Sequence, residues 1–432
     1  MSERVNQNRR TRGSVAPGFE SVQRLYEYNM RTMAEDNSQL CIYYKGKKVV
    51  DLWASMAGDN SFTADSLVNI FSSGKSLESI AMASLVGRGL LEYDAKITDY
   101  WPEFGASGKA AVTIADLMRH EAGLANFKTS IEMEDLLTAH LKQNKIGSII
   151  EEHPQNFSKG SSSNREYHAL TRGWIVNEIF RRVDPEGRTV GEFLRQDISG
   201  PLKIDAIIGV RKDELERMSK VKPLGFGYQF IESLKPKIFG RKILHNLFQI
   251  LGRLLKILLA MRRGKSARPL QPFADINGFD FFNDPGFAMG ETPSANATCS
   301  ARGLATIAAM MSSGGKLDGI EYLSEYAWNS LHDKPVEADM SGYLPTSFTQ
   351  GGVAWFADCN VNSTKLEREF NQGREGFYGW MGLGGSIFQW HPKLDIGFAF
   401  VPTSLHVLDL LNERGKTYQA EVLSCVDRLN QP

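Results

Sequence analysis

The chain has 432 residues, which is too long for one ordinary hydrophobic core and favours two domains or one large domain with a subdomain. Apolar residues make up 42% and charged residues 23%, as in soluble globular proteins. Lysine plus arginine equals aspartate plus glutamate at 50 each, so the overall charge gives no support to a nucleic-acid partner.

The cysteines and the N-terminal residues bear on the cellular compartment. Cys41, Cys299, Cys359 and Cys425 are far apart and form no Cys-x-x-Cys pair, so we expect neither a disulfide framework nor a zinc site. Residues 1–15 lack the apolar run of a secretory signal, and we expect a disordered tail there. That tail contains four arginines, and mitochondrial presequences are also rich in arginine. We therefore expect an intracellular protein, either cytoplasmic or mitochondrial.

The first part of the chain is predicted to contain a β-hairpin followed by helices. Two β-rich runs flank Lys45-Gly46-Lys47 within residues 40–54, which is typical of a hairpin. From about Ser73 to Arg88, apolar residues recur at helical spacing. Thr113 is the expected N-cap of the next helix.

The middle of the chain is mostly helical in pattern, and the end is rich in short strands. Residues 168–183 and 189–196 have the clearest helical periodicity. Runs such as GFYGW and DIGFAFV follow later, separated by turn residues, before a final helix at about 413–430. This order predicts an α/β fold of the α+β type, in which an antiparallel sheet from both chain ends is flanked by helices. The predicted boundaries are 16–115 plus 295–432 for the sheet domain and 116–294 for an inserted, mainly helical subdomain.

The stretch SSGKS at residues 72–76 permits two interpretations. Its last three letters have the ending of a phosphate-binding loop, whose full form is G-x-x-x-x-G-K-[ST]. Asn69 stands where that loop needs its first glycine, and the bulky residues Ile70 and Phe71 follow it. Nucleotide binding is therefore disfavoured.

The second interpretation is a Ser-x-x-Lys pair at the start of a helix. Positions three apart lie on one helical face, so Lys75 can reach the Ser72 hydroxyl. The helix N-terminus offers unpaired N–H groups and partial positive charge, which favour an oxyanion. A serine hydroxyl is a weak nucleophile and needs such help. A capped helix with a solvated lysine would give the same pattern, so the motif alone does not decide.

Three further segments follow the Ser-x-x-Lys pair along the chain. They are GLLEYD at 89–94, YWP at 100–102 and LMRHEAGL at 117–124. Together with the Ser-x-x-Lys pair they resemble the serine β-lactamase-like superfamily and, more narrowly, class C β-lactamases and family VIII carboxylesterases. The likeness spans most of the chain except about 203–285. It implies a β-lactamase/transpeptidase-like fold and a serine hydrolase.

The resemblance implies roles for residues that are distant in sequence. Tyr167 matches the tyrosine of the family's second motif, which is the proposed base for the Ser72 proton. A tyrosine ordinarily ionises near pH 10, so the cation of Lys75 is expected to help it. The backbone N–H groups of Leu383 and Ser72 would form the oxyanion hole.

Two histidines near these motifs are expected to be structural. His120 lies in a helix-end segment and has no partner ligands at metal-binding spacing. His168 is expected to point away from Tyr167 on a helix. The resemblance implies no metal and no cofactor.

The third family motif departs from the β-lactamase form. β-Lactamases have Lys-Thr-Gly there, whereas this chain has Trp380-Met381-Gly382, which resembles the form in family VIII esterases. A lysine would help to bind the carboxylate of a lactam, whereas Trp380 offers an indole N–H and a large apolar face. Gly382 lets the strand approach the substrate closely. The expected substrate is therefore a neutral or apolar acyl ester.

Residues 235–265 do not match the family. They contain nine lysines and arginines, no aspartate or glutamate, and many Leu, Ile and Phe residues. The pattern predicts a basic amphipathic helix at about 236–263, with too many charges to span a bilayer. Three interpretations stay open: peripheral association with an anionic membrane, binding to a partner, or docking over the protein's own cleft.

The leading hypothesis is a serine hydrolase that cleaves small-molecule esters, including lipid-like ones, through an acyl-enzyme on Ser72. A β-lactamase or D-peptide hydrolase is the alternative within the family. A non-catalytic or filament-forming scaffold that retains the fold is the alternative from another class.

Overall fold

The computed structural model describes residues 11–56, 58–156, 165–263, 280–342 and 344–431. Its strands, in chain order, are β1 (Thr11–Val15), β2 (Asn37–Tyr44), β3 (Lys47–Ser55), β4 (Val68–Asn69), β5 (Ala206–Ile207), β6 (Lys222–Pro223), β7 (Thr298–Cys299), β8 (Lys316–Leu317), β9 (Ile320–Glu321), β10 (Val336–Met340), β11 (Leu344–Phe348), β12 (Tyr378–Met381), β13 (Ile387–His391), β14 (Ile396–Pro402) and β15 (Ser404–Leu405).

The α-helices are distributed along the whole chain. They are α1 (Glu20–Thr32), α2 (Lys75–Gly87), α3 (Ile114–Met118), α4 (Thr138–Leu141), α5 (Lys145–Glu152), α6 (Thr171–Val183), α7 (Val190–Phe193), α8 (Gly200–Leu202), α9 (Phe226–Leu234), α10 (Leu247–Arg263), α11 (Pro285–Met289), α12 (Ala301–Ser312), α13 (Glu325–His332), α14 (Lys365–Asn371) and α15 (Glu413–Asn430). Short 3₁₀ turns include Phe71–Gly74, Lys237–Phe239 and Leu383–Gly385.

The central sheet has the strand order β1-β3-β2-β14-β13-β12, and all neighbouring strands are antiparallel. Strands from the two chain ends meet where β2 pairs with β14, so the predicted antiparallel sheet of mixed origin is confirmed. The predicted hairpin at 40–54 is formed by β2 and β3.

Helices cover both faces of this sheet. Alternate residues of β14 point to opposite sides: Phe398 joins a core with α1 and α15, whereas Ala399 joins the larger core that contains α2 and α12. Because both faces of β14 are buried, its sequence is a continuous apolar run rather than an alternating one. The Thr113 side chain caps α3 as expected, by accepting a hydrogen bond from the Asp116 N–H.

The region between α2 and β7 is dominated by helices α3 to α11, with only the two-residue strands β5 and β6 among its described residues. It is tied to the rest of the fold by a small sheet of order β4-β7-β5. Strand β4 ends at Asn69, immediately before the Ser-x-x-Lys pair. The small sheet therefore fixes the start of α2 against the helical region.

Two predictions about chain segments are corrected. Residues 11–15 were expected to be disordered, but they form β1, which pairs with β3 at the edge of the central sheet. Only Val15 of this strand is a large apolar residue, so no apolar alternation marks it in the sequence. Residues 1–10 lie outside the described part. The basic helix was expected from about 236, but α10 begins at Leu247. Gly240 adopts φ +74 and ends the preceding 3₁₀ turn, so a loop connects the turn to the helix.

Within the described residues, no helix has both the length and the apolar character that a membrane span requires.

Candidate active site

Ser72 lies in a tight turn between β4 and α2. The residue before it, Phe71, has φ +50, a left-handed conformation that is rare for a bulky side chain. Asn69 accepts a hydrogen bond from the Phe71 N–H at 2.7 Å through Oδ1 and so stabilises this backbone. Asn69, which does not fit a phosphate loop, thus supports the turn that presents Ser72.

Lys75 is fully buried beneath Ser72. Its Nζ lies 3.3 Å from Ser72 Oγ, 2.8 Å from the Ala169 carbonyl oxygen and 2.9 Å from the Ser294 carbonyl oxygen. Burial, with a smaller effect of the nearby Arg172 guanidinium, lowers the pKa of Lys75 to about 7, against an opposing contribution from Glu78. A neutral amine has two N–H groups for the two carbonyls and one lone pair, which is then directed at Ser72.

The loop whose Ser294 carbonyl binds Lys75 can approach the start of α2 because residue 74 is glycine. A Cβ at Gly74 would lie 2.7 Å from the Pro293 carbonyl oxygen and 2.9 Å from Ala297 Cβ. This loop, residues 293–297, supplies the Ser294 carbonyl to Lys75 and the Ala295 side chain to the cavity wall. The glycine between Ser72 and Lys75 therefore has a packing function.

Tyr167 lies on the other side of Ser72, and the two hydroxyl groups are hydrogen bonded. Its ring centre is 4.9 Å from Lys75 Nζ, and the ring stacks on Trp380 with 6.2 Å between the ring centres. Burial raises the pKa of Tyr167 to about 12, although the hydrogen bond from Ser72 acts in the opposite direction. The structure thus brings Ser72, Lys75 and Tyr167 together, as expected from the sequence.

Two histidines position the segment that carries Tyr167. His168 Nε2 accepts a hydrogen bond from the Leu124 N–H at 3.0 Å, and its Nδ1 is 2.6 Å from the Glu166 carbonyl oxygen. His120 Nδ1 accepts from the His168 N–H at 3.0 Å. Burial lowers the pKa of His168 to about 4 and that of His120 well below its usual value, so both rings are neutral. His168 precedes α6 rather than lying on a helix, but its contacts are with the backbone, as a structural residue requires.

The N–H groups of Ser72 and Leu383 have no hydrogen-bond partner among the described residues. Each lies at the first turn of a 3₁₀ segment, where N–H groups are left unpaired. Gly382 brings the two segments together, since a Cβ there would clash with the Ile70 carbonyl oxygen and with Ser386 Oγ. Both N–H groups are therefore available to an oxyanion.

Ser386 and Asn412 support this pair of segments, and no sequence motif pointed to either residue. Ser386 Oγ donates to the Ile70 carbonyl oxygen at 2.7 Å, and Asn412 Nδ2 donates to the Gly382 carbonyl oxygen at 2.8 Å. These bonds connect β4, β12 and the start of α15. An alignment of relatives would be the natural way to find such residues.

Trp380 does not offer a free indole N–H, contrary to the expectation from sequence. Its Nε1–H donates to the Gly352 carbonyl oxygen at 2.7 Å, and the ring stacks on Phe348 with 5.0 Å between the ring centres. Its backbone N–H donates to Ser76 Oγ at 2.9 Å, which fastens β12 to α2. Trp380 thus contributes an apolar wall, and only its apolar face agrees with the expectation.

A buried ion pair lies behind the site. Arg172 Nε is 2.9 Å from Glu78 Oε2, and neither side chain is exposed to solvent. Arg172 Nη2 also donates to the Lys75 carbonyl oxygen at 3.1 Å, so the pair fixes α6 against the first turn of α2. Glu78 is the one acidic residue of α2, and its place among apolar and small residues was the available sequence signal for this pair.

The cavity beside Ser72 has a volume of about 380 Å³ and is mainly apolar. Among the described residues its wall contains no lysine, arginine or histidine, and Asp409 is its charged member. The apolar wall includes Phe71, Leu170, Phe282, Met340, Leu344, Phe348, Phe356, Phe370, Trp380, Val407 and Leu410. Such a wall suits an uncharged acyl group.

One group of side chains has the composition of a metal site. His245, Asp409 and Glu413 place their ligand atoms within 4.8 Å of one another. However, the guanidinium of Arg253 lies 2.8 Å from both His245 Nε2 and Glu413 Oε2. The cation that balances these carboxylates is therefore a side chain, and the group is a hydrogen-bonded anchor for α10.

Fold and site together define a class of protein. The serine hydroxyl lies at the start of a buried helix, with a buried lysine about one turn later and a tyrosine hydroxyl hydrogen bonded to it. Unpaired N–H groups lie beside the edge strand. This arrangement is typical of a serine hydrolase.

Comparisons with known proteins show what the chain is similar to. Residues 22–217 match the family described as beta-lactamase. The chain is 27% identical to Esterase/beta-lactamase LipL of Mycobacterium tuberculosis, over 92% of this chain and 84% of that protein. These similarities confirm the resemblance to the serine β-lactamase-like superfamily that was seen in the sequence, and they support a serine hydrolase.

Solved structures share the fold. A penicillin-binding protein homolog from Caulobacter crescentus has a TM-score of 0.71 at 23% identity, covering 96% of this chain and 99% of that one. A family VIII carboxylesterase has a TM-score of 0.72 at 22% identity with the same coverage. The β-lactamase/transpeptidase-like architecture predicted from sequence is thus confirmed.

Proposed function

We propose that the protein hydrolyses neutral carboxylic esters with apolar acyl groups, including lipid-like esters, through an acyl-enzyme on Ser72. The observation that carries this proposal is the cavity wall, which among the described residues has no cationic side chain to bind a substrate carboxylate. The related LipL is named both esterase and β-lactamase, so its name supports either chemistry. A wall without a cationic side chain favours the ester.

The positions of the three side chains support a stepwise proton path. Ser72 Oγ attacks the acyl carbon while its proton passes to the neutral amine of Lys75, 3.3 Å away. The N–H groups of Ser72 and Leu383 bind the oxyanion. As the ester C–O bond breaks, the Tyr167 hydroxyl gives its proton to the leaving oxygen and regains one from the Lys75 ammonium. A water molecule then attacks the acyl-enzyme in the reverse sense.

This path revises the roles of Tyr167 and Lys75. The family resemblance implied a tyrosinate base assisted by a lysine cation. Burial disfavours both charged forms, because it raises the pKa of Tyr167 to about 12 and lowers that of Lys75 to about 7. The neutral pair is therefore the resting state that we propose, with Lys75 as the proton acceptor.

The pH dependence of kcat/KM follows from Lys75. Its folded pKa is lowered to about 7, so the amine is protonated and inactive below that pH and neutral above it. We expect kcat/KM for p-nitrophenyl butyrate to fall ~10-fold per pH unit below about 7 and to level off above it. Initial rates between pH 5.5 and 8.5, with circular dichroism at each pH, measure this; a flat profile with an intact fold would contradict the assignment.

A comparison of substrates tests the proposed class. We expect kcat/KM for p-nitrophenyl butyrate to exceed that for the anionic lactam nitrocefin by ~10³-fold or more, because the lactam carboxylate would be desolvated without a cationic partner. A D-alanyl-D-alanine peptide should be a poor substrate for the same reason. Equal or greater efficiency on nitrocefin would overturn the ester assignment in favour of a β-lactamase.

A further inference from the structure

The described residues expose an unusual amount of apolar surface in one segment. Of seventeen large hydrophobic side chains that are exposed, eleven lie between residues 226 and 255. Ile238 is 86% exposed, Phe248 84% and Phe239 73%. Single exposed apolar residues are common in proteins, but a concentration of this kind marks an interaction surface. We refer to residues 226–255 as the apolar platform.

The platform is oriented with its polar anchors towards the protein. His245 lies 3.4 Å from Asp409 Oδ1 and 3.0 Å from Glu413 Oε2, and Arg253 Nη2 donates to Glu413 at 2.8 Å. A helix that merely packs on its own protein turns its apolar face inward. In α10 the apolar side chains Phe248, Leu251 and Leu255 face outward instead, although Ile250 is buried.

The charge of the platform is strongly one-sided. Residues 235–265 contain nine lysines and arginines and no acidic residue. Lys237 and Lys242 are exposed, and no ion pair to either is present among the described residues. The nearest acidic residue of the platform, Glu232, is buried and already bound to the Lys235 ammonium at 2.5 Å and to the Lys242 N–H at 2.8 Å. The surface therefore presents apolar side chains together with positive charge.

We propose that the apolar platform docks on an anionic lipid membrane, without spanning it. Aromatic and aliphatic side chains beside lysines are the combination that binds the interface of a bilayer containing acidic lipids. A second copy of the chain fits less well, because a symmetric dimer would place the same positive surface against itself.

The platform and the candidate active site share a wall. Asp409 lines the cavity beside Ser72 and is also the partner of His245 at the base of α10. Docking would therefore bring the cavity close to the lipid surface. That an ester substrate comes from the membrane rests on the proposed function, whereas the docking itself does not.

The test is co-sedimentation of the full chain with large unilamellar vesicles. Vesicles of phosphatidylcholine with 30% phosphatidylserine (~0.3 mole fraction) carry the anionic charge, and pure phosphatidylcholine vesicles are the neutral reference. We expect the paired change Phe239→Ser/Phe248→Ser to lower the partition coefficient at least ~10-fold. The matched control is Tyr326→Ser/Val361→Ser, which removes two exposed apolar side chains elsewhere and should leave binding unchanged.

A second pair of variants tests the charge. Lys237→Glu/Lys242→Glu should abolish the preference for anionic vesicles, whereas Lys47→Glu/Lys365→Glu, the same change at exposed sites outside the platform, should keep it. Hydrolysis of soluble p-nitrophenyl butyrate should stay unchanged in all four variants. This readout separates a failure of docking from a failure of the proposed ester hydrolysis.

Three results would overturn the docking proposal. One is equal pelleting of the unmodified chain with and without anionic vesicles. Another is equal binding by the Phe239/Phe248 variant and its control. The third is a dimer, measured by light scattering, that dissociates in the Phe239/Phe248 variant while vesicle binding is absent; this would assign the platform to a second copy of the chain.

Discussion

Replacing Ser72 by alanine is expected to lower kcat for p-nitrophenyl butyrate by at least ~10⁴-fold, because the variant has no atom that can form the acyl-enzyme. The side chain makes its hydrogen bonds to Lys75 and Tyr167 and fills little volume, so the fold should be kept. The measurement is steady-state turnover together with thermal unfolding, and a change in melting temperature of no more than ~3 °C would show an intact fold.

The neighbouring serine provides a matched control. Ser73 Oγ is buried and lies 3.0 Å from Ser386 Oγ, away from the cavity. Ser73→Ala should therefore keep kcat within ~10-fold of the unmodified enzyme. Retention of activity in Ser72→Ala, or its loss in Ser73→Ala alone, would assign the nucleophile to another residue.

Removing the amine of Lys75 is expected to have the second-largest effect. Lys75→Met keeps a side chain of similar length in the buried site but leaves Ser72 without a proton acceptor, so kcat should fall ~10³-fold. The variant also leaves the carbonyls of Ala169 and Ser294 without their donor. Circular dichroism is therefore needed beside the rate to separate catalysis from folding.

Tyr167→Phe distinguishes the two assignments of the base. If Tyr167 protonates the leaving group, the variant should be slowed much more on ethyl butyrate than on p-nitrophenyl butyrate, whose leaving group needs no proton. We expect this difference to be ~10²-fold. An equal loss on the two esters, as large as that of Lys75→Met, would instead make Tyr167 the base.

Much of the fold could be predicted from the sequence because its signals are local. The hairpin of β2 and β3, the helix after Ser72 and the final helix all have clear periodicity. The edge strand β1 was missed because only its pairing with β3 makes it a strand. The start of α10 was placed about eleven residues too early, since a basic and apolar composition does not reveal that Gly240 ends the preceding turn.

The spacing of Ser72 and Lys75 suggested that they pair, whereas Tyr167 was expected from the resemblance to the family. Ser72, Lys75 and Tyr167 converge as expected. The role of Trp380 was only half right, because a sequence cannot show that Gly352 accepts its indole N–H. Glu78 and Arg172 were missed, since their function arises from pairing across two helices, 94 positions apart.

The direction of the apolar platform is likewise a property of the three-dimensional structure. Its composition is compatible with three uses of the apolar face: binding to a membrane, binding to a partner, or docking over the protein's own cleft. The contacts of His245 and Arg253 with Asp409 and Glu413 place the polar side inward. The apolar side is thereby exposed, which removes docking over the cleft as an explanation for Phe239 and Phe248.

Trapping of the acyl-enzyme tests the central claim most directly. The enzyme is mixed with excess p-nitrophenyl butyrate, quenched with acid within milliseconds and analysed by intact-mass and peptide mass spectrometry. The account predicts one butyryl adduct, located on Ser72 in the peptide that contains Lys75 and absent from the Ser72→Ala variant. Full turnover with no adduct at any quench time, or an adduct on another residue, would contradict it.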